Sequence, residues 1–134
     1  MLTLTLIRGL PGSGKTTFAK TLGCVYFSAD DRMVDATGAY AFDPTKLDKC
    51  HRGCQGDVES LFERGESCAV ANTFSCRWEM KPYRELAARY GARLFIVDLF
   101  DGGLTDVELA ERNVHGVPLA TIAAMRRRWQ VGHG

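Results

Sequence analysis

No stretch of this sequence approaches the roughly 20 consecutive apolar residues that a bilayer-spanning helix needs, so a soluble protein is expected. Nor is there an excess of either charge. Lysine plus arginine number 17 against 16 aspartate plus glutamate, a formal net charge of +1, which excludes a globally basic nucleic-acid binder and confines any polyanion site to a local patch. The densest basic run, Arg126, Arg127 and Arg128, reads as a solvated helix face. A paired disulfide framework is also missing: the cysteines are five, an odd number, and no leader-like segment precedes them, so reduced thiols and a cytoplasmic location are expected. Cys50, His51 and Cys54 have no second ligand pair at zinc-like spacing; with Leu47, Val58 and Leu61 the two cysteines share one helical face, and buried thiols are the simpler reading. Internal repeats, low-complexity stretches and linkers are lacking as well.

What is present is enough for one core. At 134 residues and 14.8 kDa the chain suits a single domain, and 46% hydrophobic with 25% charged residues is an ordinary globular balance. Residues 2–7 alternate apolar with β-branched polar residues and run into Gly9, which predicts a strand feeding a glycine-rich turn. A helix is predicted over Lys15 to Leu22, then a short strand over Val25 to Ser28 ending at Asp30 and Asp31. Asp43-Pro44 is a helix-start signal for an apolar stripe through Leu47, Cys54, Val58 and Leu61. Further strands are predicted at 68–71 and 94–99, a helix through Met80, Tyr83, Leu86 and Tyr90 with Pro82 in its first turn, a capping box at Thr105 to Glu108, and a last helix from Pro118 to about Gln130. Strands alternating with helices predict an α/β fold, a parallel sheet covered on both faces.

Gly9-Leu-Pro-Gly12-Ser13-Gly14-Lys15-Thr16 satisfies G-x-x-x-x-G-K-[ST], and it lies between a predicted strand and a predicted helix, the setting a phosphate-binding loop requires. Its glycines let backbone amides wrap an anion at a helix N-terminus. In that reading Gly12, Ser13, Gly14, Lys15, Thr16 and Thr17 hold a nucleotide, with Lys15 on the β- and γ-phosphates and Thr16 offering its hydroxyl to Mg²⁺. The loop alone does not separate kinases from ATPases and GTPases, which differ in what faces the γ-phosphate. Ligands in an open parallel sheet lie beyond the carboxyl ends of the strands, where Asp30, Asn72 and Asp98 are expected. Asp30 is the first candidate for the base that accepts an attacking hydroxyl's proton, with Asp31 in reserve. Arg112 and His115 fall in a stretch with the makeup of a lid, about 105–118, and either Arg112 or Arg126 could bring a guanidinium to the transferred phosphoryl group.

The motifs R-G-L-P-G-S-G-K-T-T, S-A-D-D at 28–31, G-x-Y-x-F-x-P from Gly38 to Pro44, Asn72-Thr73, W-E-M-K-P-Y at 78–83, Arg112-Asn113 and His-Gly-Val-Pro at 115–118 resemble the polynucleotide-kinase-like group of P-loop kinases and its stand-alone AAA-type ATP-binding relatives. The resemblance implies a three-layer P-loop NTPase fold of the adenylate-kinase type, with four or five parallel strands and a small helical lid. It also implies ATP and Mg²⁺ as cofactors, Asp30 as general base and Arg112 as the lid arginine. The leading expectation is a kinase for the 5′-hydroxyl end of a nucleic acid, with Arg32 and Arg77 meeting backbone phosphates. A small-alcohol or nucleoside kinase and an ATP-binding regulatory module with weak hydrolysis stand as alternatives.

Overall fold

The computed structural model describes residues 1–132. Along the chain run β1 (Thr3–Gly9), α1 (Lys15–Lys20), β2 (Val25–Phe27), α2 (Leu47–Glu63), β3 (Cys68–Asn72), α3 (Lys81–Tyr90), β4 (Arg93–Phe100), α4 (Asp106–Arg112) and α5 (Leu119–Arg128). Four helix boundaries differ from expectation. α1 stops at Lys20, short of Leu22, where both the amide and the hydroxyl of Thr21 turn back to the Phe18 carbonyl. The Asp43 carboxylate accepts from the Thr45 amide at 2.9 Å and its hydroxyl at 2.7 Å, so Pro44–Lys46 opens as a 3-10 turn and the α-helix proper starts at Leu47. Pro118 caps α5 rather than entering it. α5 ends at Arg128 because the Gln130 amide is drawn to the Ser75 carbonyl at 2.8 Å.

The four strands form one parallel sheet in the order β2-β3-β1-β4. Alternation along β1 and β3 sorts the core into two layers. Leu4, Leu6, Cys68 and Val70 face Cys54, Val58, Leu61 and Phe62 of α2 and Tyr83, Leu86 and Ala87 of α3. Ile7, Ala69 and Ala71 face Ala19 and Phe18 of α1. β3 is buried at all five positions, as a central strand covered on both faces must be. A third cluster, Leu10, Leu109 and Ile122, joins the phosphate loop to α4 and α5.

Arg8 occupies the core-facing register after Leu4 and Leu6 and is fully buried. Its Nε and Nη2 donate to the Phe74 carbonyl at 3.1 and 2.8 Å, and Nη2 also reaches the Gln130 carbonyl at 2.8 Å. Nη1 donates to the Gly132 carbonyl at 2.6 Å and to Asp98 Oδ2 at 3.3 Å. The guanidinium stacks on the Trp129 ring, 4.2 Å from its centroid. Phe74 takes a left-handed backbone, φ 47°, a strain of about 1–3 kcal/mol for a residue with a side chain. That turn aims its carbonyl at Arg8 while its ring packs edge-on against Tyr83 at 5.7 Å.

Replacing this guanidinium strands several buried carbonyls together with Asp98, a loss of about 3–5 kcal/mol. Urea unfolding of Arg8→Met should show that drop, and Arg8→Lys should recover only part of it, because an ammonium cannot reach acceptors on three separate segments.

Candidate active site

The loop that follows β1 is shaped by two close approaches. A Cβ on Gly9 would lie 2.3 Å from Ser13 Oγ, and Gly12, at φ 84°, would place one 2.5 Å from the Leu109 carbonyl oxygen. Neither space admits a side chain. α4 therefore rests directly on the loop, its Leu109 side chain fully buried beside Leu10. The lid-like stretch is docked, and its N-terminus carries the expected capping box between Thr105 and Glu108.

A cavity of about 190 Å³ opens at the carboxyl ends of the strands. Three segments line it with polar side chains or backbone: a first wall of Gly12, Gly14, Lys15, Thr16 and Thr17, a second of Ser28, Asp30 and Asp31, and a third of Arg112 to His115. The first wall is rich in donors. Ser13 Oγ is buried without a partner, and the Lys15 ammonium is folded back on the carbonyls of Gly9 at 2.7 Å and Leu10 at 3.2 Å. Burial pushes the Lys15 ammonium down to about 8, and the charge of Asp30 opposes that shift. Thr16 and Thr17 are exposed. A desolvated ammonium and two exposed threonines suit a phosphate chain with its divalent cation, while the Ser13 hydroxyl belongs to the same loop but not to the cavity lining.

On the second wall the Ser28 hydroxyl accepts from the Asp30 amide at 3.1 Å, which fixes the 3-10 turn Ala29–Arg32. Asp30 is half exposed, and its Oδ2 lies 3.7 Å from His115 Nδ1. The His115 ring in turn sits 4.4 Å from that of Tyr40. Burial and the neighbouring Asp30 charge both raise the Asp31 carboxyl, with His115 opposing them. Asn113 shapes the third side: its Oδ1 accepts from the Val117 amide at 2.8 Å and its Nδ2 donates to the Ala110 carbonyl at 2.9 Å, so the loop carrying His115 is closed on itself.

The structure thus gathers Gly12, Gly14, Lys15, Thr16, Thr17, Asp30 and Arg112 around one cavity, with Ser13 beneath. Five other candidates lie elsewhere. Arg32 forms a two-pronged pair with Asp57 on α2, the shortest contact 2.6 Å, and lies over Gly53. Asn72 is buried and its Oδ1 accepts from the Ala29 amide at 2.8 Å, which ties β3 to the Asp30 turn. Asp98 pairs with Arg8. Arg77 is outside the cavity, on the segment that continues from Thr73. Arg126 is engaged by Asp101 at 2.8 Å, Asp106 at 2.7 Å and the Leu104 carbonyl, whereas Arg112 has no such partner among the described residues. Sequence reasoning missed Arg8 and the approach of Tyr40 to His115. For Arg8 a signal existed, an arginine in the buried register of β1.

Residues 4–131 match the model of the AAA domain family AAA_33. The chain belongs to this AAA domain family. It is 37% identical over 136 residues to human NEDD4-binding protein 2, a match that covers 96% of this chain and 8% of that relative, so the domain spans a small fraction of the larger protein's length. Among solved structures, a chain of the Pnkp1/Rnl/Hen1 RNA repair complex superposes with a TM-score of 0.75 at 19% identity, over 95% of this chain and 43% of that one. A gluconokinase from Sinorhizobium meliloti 1021 superposes with a TM-score of 0.63 at 17% identity, over 96% and 75% of the two chains. The AAA domain has the P-loop kinase fold.

Since the charged form of Lys15 attracts phosphate and predominates in the free domain below about pH 8, nucleotide affinity should weaken as pH rises above that value, by up to about tenfold per unit. Calorimetric titration with ATP across that range checks it, and Lys15→Arg should flatten the profile.

Proposed function

We propose that this AAA domain is an ATP-dependent, Mg²⁺-requiring kinase that transfers the γ-phosphate to a hydroxyl, and that the acceptor is the 5′-hydroxyl of a polynucleotide. The observation that carries the reading is one cavity lined by Lys15, Thr16 and Thr17, by Asp30 and by Arg112. A carboxylate there can receive the proton of an attacking hydroxyl, and because Asp30 is half exposed the attacking oxygen can belong to an acceptor larger than water.

In this mechanism the amides of Gly12 to Thr17 and the Lys15 ammonium hold the β- and γ-phosphates. Thr16 offers its hydroxyl to Mg²⁺, which neutralises the phosphate charge when bound. The acceptor hydroxyl enters beside Asp30, in the place that His115 now borders, and Asp30 takes its proton as the oxygen attacks. Arg112, which forms no ion pair among the described residues, pairs with the equatorial oxygens of the moving phosphoryl group. Asp30 is half exposed, so a terminal hydroxyl can reach it from solvent while the rest of a long acceptor stays outside, which suits a chain end. The likeness to a chain of an RNA repair complex agrees with that choice at the level of the fold.

Transfer of labelled γ-phosphate to a panel of 5′-hydroxyl oligonucleotides, nucleosides and small alcohols tests it. Label should reach the oligonucleotides. Asp30→Asn should lower the rate about 10²- to 10⁴-fold and Arg112→Ala about 10³-fold or more, with ATP affinity little changed in the former. Label on nucleosides or small alcohols alone would replace the acceptor class. Label on none, with ATP still bound, would overturn the kinase reading.

A further inference from the structure

A second surface lies beside the cavity, where the segment leaving β3 meets the end of α5. Thr73 lines the cavity. The chain then runs through buried Ser75 to Arg77 and Trp78, the latter 72% exposed. Trp78 is five residues from Thr73, within about 18 Å even for a fully extended chain. Residues 128–130 are fastened alongside: Arg128 Nε donates to Ser75 Oγ at 2.9 Å, and the Arg77 amide donates to Gln130 Oε1 at 2.6 Å. The end of α5, with its arginines, is therefore fastened to the segment that carries the exposed tryptophan.

The charges are not neutralised locally. Among the described residues Arg77, Arg127 and Arg128 form no pair with a carboxylate, in contrast to Arg126. The nearby acid, Glu79, is turned inward, accepting from the Cys76 amide at 2.9 Å and the Ser75 hydroxyl at 3.1 Å. Arg126 to Gly132 contains no acid. A single exposed apolar side chain is ordinary on its own. An exposed indole on a segment joined to unpaired arginines supplies the two elements that hold single-stranded nucleic acid, a face on which a base stacks and cations that follow the backbone.

We infer that Trp78, with Arg77, Arg127 and Arg128, forms a docking surface for single-stranded polynucleotide, on which the strand lies as its 5′ end enters the cavity. The inference rests on the proposed polynucleotide acceptor and extends it: the cavity takes the terminal hydroxyl, and this surface takes nucleotides farther along the strand. A dinucleotide is too short to use both.

The test compares phosphorylation of a 5′-hydroxyl dinucleotide with that of DNA and RNA strands of about 4 and about 16 nucleotides, the range that single-strand surfaces occupy. The KM should fall with length. Trp78→Ala should raise the KM of the long strands about five- to hundred-fold, the effect of losing one stacked base, while leaving the dinucleotide and kcat unchanged. Arg127→Ala with Arg128→Ala should lower the slope of log affinity against log salt by about 0.7 per lost phosphate contact. A KM independent of length, or unaltered by Trp78→Ala, would overturn the inference and leave the kinase reading intact. If no strand is phosphorylated, anisotropy titration of the labelled 16-nucleotide strands decides: binding weakened by Trp78→Ala upholds the surface, and binding that is absent or indifferent to Trp78 removes it. The DNA and RNA arms show which backbone it prefers.

Discussion

A guanidinium has five N–H groups, and burying it inside an apolar layer requires an acceptor for each of them. Arg8 meets that requirement by drawing in the exit of β3, the chain beyond α5 and Asp98 of β4. Its position decides why this matters. The next residue, Gly9, begins the phosphate loop, so the loop starts from the most heavily cross-linked point at the sheet's carboxyl edge. The irregular register of β1 and β4 at that point, where Gly9 pairs with Phe100, adds the Leu10 amide to the Phe100 carbonyl at 2.7 Å. The loop is then held from above by Gly12 against Leu109.

Fixing the loop in this way fixes the site's electrostatics. Cationic and amide donors sit on one wall and the carboxylates of Asp30 and Asp31 on the other, positioned by separate elements that share β3 as their neighbour. Asn72 ties the Asp30 turn to β3, while Thr73 accepts from the Gly9 amide at 3.2 Å. One strand end thereby sets the spacing between phosphate wall and carboxylate wall. His115, held by the Asn113-stabilised loop, closes the third side over Asp30.

Most of the fold was legible because it rests on local patterns. The alternation along β1, the Thr105–Glu108 box and the α2 stripe each follow from neighbours in sequence, and the glycine loop announces itself through backbone requirements. What could not be read are contacts between segments far apart in the chain. Arg32 looks like a substrate residue beside Asp30 and Asp31 until Asp57, 25 residues on, is seen to engage it. Arg112 and Arg126 are equivalent in sequence, and only the folding of Asp101 and Asp106 around Arg126 separates them. Asn72 resembles a ligand at a strand end, yet its amide serves the backbone. Helix ends shifted wherever a side chain or a distant carbonyl competed for the last turn.

The central claim is that the cavity brings a γ-phosphate and an acceptor hydroxyl together in preference to water. A single-turnover experiment, with the domain in excess over γ-labelled ATP, measures how the label divides between a 5′-hydroxyl strand and free phosphate. The account predicts that adding the strand speeds consumption of ATP and sends most of the label to the strand. Release of free phosphate at the same rate with and without the strand, and with the strand unlabelled, would contradict it.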